Sequence, residues 1–321
     1  MHAPQAQTKV ALSTMTCSKV PDPKDCLQLL EGLGNPALEL DFNLGAPALE
    51  AILKEVRAGN MRVTSVHNCN PKFFGTQQRY NTGLADLDET SRKTAVEDFR
   101  FSLELAAECG VGYCVGPLGR IEPAINEEKS LRTLYRDGKE SEEFRNLRQS
   151  LIEARARRVG PHMEAAARSL DELEPICERL GVKFVPENRY EFGKLGLPEE
   201  IAHFQRQHPE TVGYCHDFGH AMAVGCLGLW PEKDPLKPEL PVDIWHVNDF
   251  NTETLVDHLP LGKGDLSLAA VKRSVCSAGA VAVIEVRANH PVADIRAALD
   301  MVAGWLTHDA AAQRGAAAAS A

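Results

Sequence analysis

Four residues that are able to bind a divalent metal ion stand at or near the ends of short apolar runs in the second half of the chain. They are Glu187 after VKFVP, Asp217 after VGYCH, His246 within IWHV and Glu285 after VAVI. Three carboxylates and one imidazole suit a hard or borderline ion and leave coordination positions for water or substrate oxygens. We therefore predict that these four residues hold one divalent metal ion. Mn2+ is the expected ion, with Co2+, Mg2+ and Zn2+ as alternatives.

Any one of these residues alone could also have a purely structural role, because an acidic residue after a strand often caps a helix or forms an ion pair. Four of them at equivalent places after successive apolar runs favour a shared role, since unpaired polar groups are costly to bury. A closed structural zinc site is not indicated, because Cys and His residues are not clustered in the sequence.

The elements that would position these residues alternate regularly along the chain. Short β-branched or apolar runs are followed by longer segments of helical periodicity, eight of each between Lys9 and His308. The predicted strands are Val10–Ser13, Leu38–Phe42, Arg62–His67, Val111–Val115, Val182–Glu187, Thr211–Asp217, Val242–Asn248 and Ala280–Val286. This pattern predicts an α/β protein with a single-domain (β/α)8 TIM barrel, although an open doubly wound sheet has the same local pattern.

Two predicted helices and two irregular regions complete the predicted architecture. Ser91–Cys109 has an apolar residue every three or four positions, and a second apolar stripe begins near Pro161, ends at Gly181 and is expected to bend at Pro175. The long charged connection from Gly116 to about Pro161 predicts an extended helical insertion after the fourth strand, as an extra helix or lid over the barrel mouth. Residues 1–308 are assigned to the barrel, and the Ala-rich tail 309–321 is predicted to be disordered.

Charge and composition exclude several classes of protein. The formal net charge is −10, with 45 Asp and Glu against 35 Lys and Arg, which opposes a nucleic-acid partner. The start MHAPQAQTKV does not look like a secretion signal, and a run of about 18 apolar residues is missing, so we expect no membrane partner. Nine Cys without a CxxC pair are typical of reduced thiols. We expect a cytoplasmic protein.

The ordered set PENRYEFG, HDFGHA, WHVNDF followed by DHLPLGKGDL, and VIEV resembles the xylose isomerase-like superfamily of sugar isomerases and epimerases. The resemblance is close over residues 180 to 290, and the first half of the chain matches by its barrel pattern. In the tagatose epimerase-like and hydroxypyruvate isomerase-like members the four matching positions bind one divalent metal ion. The resemblance further implies that Glu187 and Glu285 are catalytic and move protons.

The same resemblance implies substrate-binding residues, which here are His67, His220, Asp257, His258 and Arg287. The residues alone also allow structural roles for several of them. His67 could be an exposed loop imidazole, and His220 could cap local backbone at the start of a helix. Arg287 and Arg189 flank predicted ligands, where they would either neutralise an acidic substrate or form structural ion pairs.

The predicted function is a divalent-metal-dependent isomerase or epimerase that acts on a small sugar, polyol or keto sugar by proton transfer through an enediolate. A small polyhydroxy substrate is therefore the expected partner, and a homo-oligomer is left open. One alternative is a metal-dependent lyase or C-glycoside-cleaving enzyme on the same barrel. A non-catalytic sugar-binding protein is another, which the intact acidic residues disfavour.

A further alternative is an AP endonuclease-like phosphodiester hydrolase, whose family 2 members share the barrel and bind three metal ions. That enzyme needs another His at the end of the fourth strand, where this chain has Cys114, Gly116 and Pro117. The pair Asp257 and His258 also lacks the intervening residue of that family's Asp-x-His. The sequence therefore favours the isomerase.

Overall fold

Eight parallel strands form one sheet in the computed structural model, which describes residues 9–20, 22–70, 83–121, 127–138 and 141–319. The strands of this sheet are β1 (Val10–Ser13), β2 (Ala37–Asp41), β3 (Val63–His67), β4 (Tyr113–Gly116), β5 (Lys183–Pro186), β6 (Cys215–Asp217), β7 (Ile244–Val247) and β10 (Val281–Ile284). A separate antiparallel hairpin contains β8 (Asp249–Asn251) and β9 (Val256–Leu259). All eight predicted barrel strands are confirmed, β1 with the predicted ends and the other seven with shifted ends, whereas the hairpin was not predicted.

The sheet curls until its two edges meet. The strand order is β5-β4-β3-β2-β1-β10-β7-β6, and parallel bridges join Phe184 to Val212 and Glu187 to Cys215 across the two edge strands. Aliphatic and small side chains fill part of the interior, including Ala11, Val115, Val185, Cys215, Ile244 and Val283. A larger apolar layer lies between the strands and the helices. The predicted (β/α)8 barrel is therefore confirmed.

The helices surround this sheet. They are α1 (Pro23–Gly32), α2 (Ala46–Arg57), α3 (Glu89–Glu108), α4 (Glu127–Gly138), α5 (Glu142–Leu180), α6 (Pro198–Gln207), α7 (Phe218–Cys226), α8 (Leu268–Ala278) and α9 (Val292–Ala319). Side-chain caps fix several of their starts: Asp88, for example, accepts a 2.8 Å hydrogen bond from Ser91 N–H in the first turn of α3. The predicted helix Ser91–Cys109 is thus present with slightly different ends.

The second predicted helix begins much earlier than expected. α5 spans 39 residues and contains both Pro161 and Pro175, so the prediction of a start near Pro161 was wrong. The buried stripe continues on both sides of this proline, from Leu151 and Ala154 to Ala165 and beyond. Packing of that stripe outweighs the cost of an interior proline, which is about 3 kcal/mol. The bend at Pro175 stays a prediction.

The connection after β4 contains a helix of its own. α4 separates β4 from α5, as the predicted helical insertion requires, while residues 122–126 and 139–140 of this connection lie outside the described residues. The last helix, α9, continues to Ala319, although a disordered tail was predicted from residue 309 onwards. The high helix propensity of alanine accounts for this continuation. In the described part of the chain, the helices are all too short or too polar to cross a bilayer.

Candidate metal centre

The four predicted metal ligands converge at one end of the barrel. Glu187 follows β5, Asp217 ends β6, His246 lies in β7 and Glu285 follows β10. Parallel strands present their carboxyl ends at the same edge, which brings the four side chains together. All are buried, with at most 1% exposure, and one ligand atom from each lies within 4.8 Å of the others.

The distances fit coordination of a single ion. His246 Nδ1 lies 2.8 Å from Glu285 Oε2, 2.9 Å from Glu187 Oε1 and 3.9 Å from Asp217 Oδ2. In an octahedral site with bonds of about 2.1 Å, adjacent ligand atoms are about 3 Å apart and opposite ones about 4.2 Å. The observed spacings fall within this range.

The buried carboxylates of the cluster carry negative charge that favours binding of a cation. Three buried carboxylates surround one imidazole nitrogen, and Glu285 Oε2 has no hydrogen-bond partner among the described residues. Burial lowers the pKa of His246, but Cys215, Glu285 and Glu39 together raise it well above its ordinary value. Burial raises the pKa of Glu285, whereas His246 and His258 hold it well below its usual range. These opposed effects describe excess buried negative charge, which a divalent ion would neutralise.

Two asparagines hold Asp217 in place. Asn188 Nδ2 donates to Asp217 O at 3.0 Å, and Asp217 N–H donates back to Asn188 Oδ1 at 2.7 Å. Asn248 Nδ2 donates to Asp217 Oδ2 at 2.9 Å. A side chain at Gly219 would collide with the Asn248 amide, so this glycine allows Asn248 to reach the ligand. Such contacts orient a ligand before the ion binds.

His220 lies beside the ligands, one helical turn after Asp217. Its Nδ1 is 3.0 Å from Asn188 O and 3.5 Å from Glu187 Oε1, and its Nε2 is 3.7 Å from Asp257 Oδ2. Burial lowers the pKa of His220 to about 4, so the ring is neutral at physiological pH. A neutral imidazole whose Nδ1–H donates to Asn188 O keeps Nε2 as an acceptor.

The hairpin brings the next two predicted residues to the same place. His258, with φ of 55°, lies on β9, with Nδ1 3.0 Å from Asp257 Oδ2 and Nε2 3.4 Å from Glu285 Oε2. Burial lowers the pKa of His258, but Asp257 and Glu285 raise it to about 10. Arg287 forms an ion pair with Asp257 and is about half exposed. The structure therefore shows an ion pair for Arg287 at the margin of the site.

His67 at the end of β3 also faces the ligands. It is 3% exposed, with Nδ1 3.1 Å from Asp41 Oδ2 and Nε2 3.8 Å from Glu187 Oε2. It is therefore not the exposed loop imidazole considered as an alternative. Arg189 forms an ion pair with Glu187, which matches the structural role considered for that arginine.

Sequence reasoning missed three buried residues around this centre. Glu39 and Asp41 on β2 are fully buried and contact His246 and His67, respectively. Cys215 lies two residues before Asp217, on the same face of β6, and can join a ligand group with Glu187 and His246. Two acids separated by one residue within the apolar run ALELDF were the available signal for Glu39 and Asp41.

The ligand atoms of the described residues form overlapping groups. Besides the four predicted ligands together, these groups are Glu187, Cys215 and His246; Asp217, His220 and His258; and Glu39, His67 and Glu285. All members are buried. Among these groups of described residues, only the four predicted ligands offer four ligand atoms to one ion.

Helix α4 braces the rim of the centre. Glu128 accepts hydrogen bonds from Phe192 N–H and Gly193 N–H, both at 3.0 Å, in the loop after β5. Arg132 pairs with Glu128, and its guanidinium lies 4.1 Å above the Tyr190 ring. The Tyr190 hydroxyl donates to Leu255 O at 2.6 Å. The helical insertion thus joins the β5 loop to the hairpin beside the ligands.

Known proteins share this architecture. A family model described as xylose isomerase-like TIM barrel matches residues 27–305. A search of curated proteins by sequence finds no significant match.

Solved structures share the fold at low sequence identity. A D-tagatose 3-epimerase-like protein is 18% identical, with a TM-score of 0.65 over 94% of this chain and 98% of that chain. The IolI protein with a bound zinc atom is 16% identical, with a TM-score of 0.62 over 94% and 99%. D-psicose 3-epimerase from Clostridium cellulolyticum H10, solved with D-tagatose, is 14% identical, with a TM-score of 0.58 over 93% and 99%.

Proposed function

Because this chain belongs to the xylose isomerase-like TIM barrel family, we propose that it is a divalent-metal-dependent isomerase or epimerase of a small sugar, polyol or keto sugar. One observation carries the proposal: Glu187 and Glu285, from strands separated by β6 and β7, both lie within 2.9 Å of His246 Nδ1 and are buried. Proton transfer beside a carbonyl uses a base, an acid and a Lewis acid, and two carboxylates next to a metal-binding imidazole can supply these groups.

The ion would be held by Glu187, Asp217, His246 and Glu285. When bound, it supplies Lewis-acid polarisation of a carbonyl and the adjacent hydroxyl. One of the two glutamates removes the proton from the carbon next to the carbonyl and produces an enediolate. The other returns a proton to the opposite face of that carbon, giving an epimer, or to the neighbouring carbon, giving an isomer. Burial of both carboxylates keeps water away from the exchanging proton.

The surrounding polar residues suit a small polyhydroxy substrate. His67, His220, Asp257 and His258 are all at most 6% exposed and present ring nitrogens and carboxylate oxygens beside the ligands. Arg287 lies at the margin, where its guanidinium can meet an outer oxygen. Solved relatives in fold that are named as tagatose and psicose epimerases support this substrate class.

The remaining features of the proposal follow from the same centre. We expect one ion per chain, with Mn2+ preferred by a set of three carboxylates and one imidazole. The cytoplasmic location that we expect is consistent with the cysteines, none of which forms a disulfide in the described part of the chain.

Deuterium exchange during turnover tests the reaction. The Mn2+-loaded protein is incubated in heavy water with a panel of ketoses and aldoses, and deuterium is followed at the carbon next to the carbonyl. Interconversion with exchange is expected. Turnover without exchange in both directions would indicate hydride shift, and release of a group beta to the carbonyl would indicate a lyase.

Metal analysis and a nuclease assay test the competing hydrolase. After dialysis against a weak chelator, about one equivalent of metal should remain. Three tightly held equivalents, together with metal-dependent nicking of an abasic duplex, would refute the isomerase proposal. The acidic net charge of −10 leads us to expect neither.

A further inference from the structure

A fully buried carboxylate lies below the metal centre, on a strand that supplies none of the proposed ligands. Glu39 is in the middle of β2, with 0% exposure. Its Oε2 accepts a 2.7 Å hydrogen bond from Ser65 Oγ, and its Oε1 lies 3.0 Å from His246 Nε2. Burying an unpaired carboxylate costs several kcal/mol, so the contact with His246 accounts for its place in the barrel interior.

The two nitrogens of His246 face opposite kinds of partner. Nδ1 faces the ligand oxygens of Glu187, Asp217 and Glu285, whereas Nε2 faces Glu39. An imidazole that binds a metal through one nitrogen carries its proton on the other. With the ion on Nδ1, that proton would be on Nε2, which lies 3.0 Å from Glu39 Oε1.

The contact crosses the inside of the barrel. β2 and β7 are separated in the sheet by β1 and β10, so neighbouring-strand pairing does not bring the two side chains together. Oε1 of Glu39 and Nε2 of His246 are both buried without a hydrogen-bond partner among the described residues, and they lie 3.0 Å apart. Each atom is therefore a possible hydrogen-bond partner for the other.

We propose that Glu39 is a positioning residue that receives the Nε2 proton of His246 and so directs Nδ1 at the metal ion. A carboxylate in this position fixes the ring orientation and makes the coordinating nitrogen a stronger donor. Ser65 holds the second oxygen of Glu39 and limits its rotation. The inference rests on the proposed metal centre but not on the reaction performed there.

Glu39 could instead be a ligand itself, since its carboxylate groups with His67 and Glu285. Two observations favour positioning. Glu39 Oε1 lies within hydrogen-bonding distance of His246 Nε2, at 3.0 Å, and Ser65 already donates to the other oxygen. The two roles predict different results when Glu39 is replaced. Loss of a positioning residue weakens binding of the ion, whereas loss of a ligand removes one bound ion.

Metal affinity of Glu39→Gln tests the inference. Co2+ and Zn2+ dissociation constants are measured by competition with a chromophoric chelator for the full chain and its variants. Glu39→Gln should weaken binding about 10- to 100-fold at unchanged stoichiometry, and Ser65→Ala should weaken it less. The matched control is Asp41→Asn, a buried acid on the same strand that contacts His67, and it should leave the dissociation constant within about twofold.

The visible spectrum of the Co2+-loaded protein gives a second readout, because it responds to the donor strength of the coordinated imidazole. Glu39→Gln should shift the bands, Asp41→Asn should not, and Glu39→Asp, which keeps the charge, should restore part of the affinity. If Glu39→Gln does not fold, Ser65→Ala and Glu39→Asp carry the comparison.

Each contrary outcome has a distinct meaning. Equal affinity and equal spectra for wild type and Glu39→Gln would overturn the inference, as would the loss of one of two bound ions. Failure of the wild-type protein to bind either ion would instead refute the proposed metal centre.

Discussion

The proposed metal ligands and the rim above them are held in place in different ways. Hydrogen-bonded strand pairing positions the ligands: Asp217 is in register with His246, and Glu187 forms a bridge with Cys215. The rim depends on side chains that reach between distant segments, such as Glu128 on the insertion helix and the backbone of the β5 loop. On the proposed function, the chemistry would therefore depend on paired strands of the barrel, and substrate fit would depend on side-chain contacts of the rim.

This contrast predicts that substitutions of the ligands and substitutions in the rim affect different kinetic parameters. Loss of a ligand should reduce turnover and metal content together. Loss of a rim contact should change substrate affinity and leave the metal in place. Four substitutions, from the largest expected effect to the smallest, test the separation.

Glu285→Gln should have the largest effect. The substitution removes both a ligand and a proton-transfer group, and a general acid or base contributes about 10²- to 10⁴-fold to the rate. We expect kcat to fall by at least that factor and the bound metal to decrease. Assays at saturating Mn2+ separate the two losses. Full activity with full metal content would show that Glu285 transfers no proton, and Glu187→Gln should behave similarly.

His220→Ala tests the boundary between the two regions, because His220 contacts both Glu187 and Asp257 without being a proposed ligand. We expect turnover to slow by about 10²-fold, the effect of losing one hydrogen-bonding group at a reacting oxygen. Metal content should stay near that of wild type. Loss of the ion from this variant would show that His220 supports metal binding, contrary to the proposed division between metal ligands and substrate-binding residues.

Glu128→Gln should loosen the rim. The variant weakens two hydrogen bonds to the β5 loop and the ion pair with Arg132, at a cost of roughly 1–3 kcal/mol in stability. We expect KM to rise by about tenfold, with metal affinity unchanged, because part of that energy is lost from the substrate-binding conformation. An equal fall in kcat and metal affinity would show that the insertion helix supports the ligands directly.

Arg136→Ala should have the smallest effect. Arg136 donates one exposed hydrogen bond to Thr254 O in the hairpin, at 2.8 Å. Such a contact contributes about 1 kcal/mol or less, so KM should change by no more than a few-fold. Glu128→Gln serves as its comparison. A larger effect for Arg136→Ala would place the main support of the rim at the hairpin.

The barrel strands and the four proposed ligands were predictable because strand length and the position of acidic residues are local properties of the sequence. Buried parallel strands such as VAVI are continuous apolar runs, and the residue that follows each run must lie at the carboxyl end of the barrel. Glu285 could therefore be assigned without knowledge of its neighbours.

The supporting residues were not predictable in this way. Glu39 lies within a strand, where alternation of polar and apolar residues in ALELDF also fits a strand with one exposed face. Its role depends on β7, more than 200 residues later in the chain. The hairpin and the bracing by α4 likewise arise from contacts between distant loops, and the packing of α5 extended that helix well before the start predicted at Pro161.

The closure of the barrel has a mechanical consequence. Within the described residues, β5 and β6 meet through isolated bridges instead of a continuous ladder, and we call this junction the seam. The Asn188 side-chain amide forms two hydrogen bonds across the seam to the backbone of Asp217. Glu187 follows β5 and Asp217 ends β6, so an ion bound to both residues would link the two strands that are joined by isolated bridges. Removing the ion should speed amide exchange first at Gly213 and Asn188, where the seam opens. Binding of the ion would then also stabilise the closure of the barrel between β5 and β6.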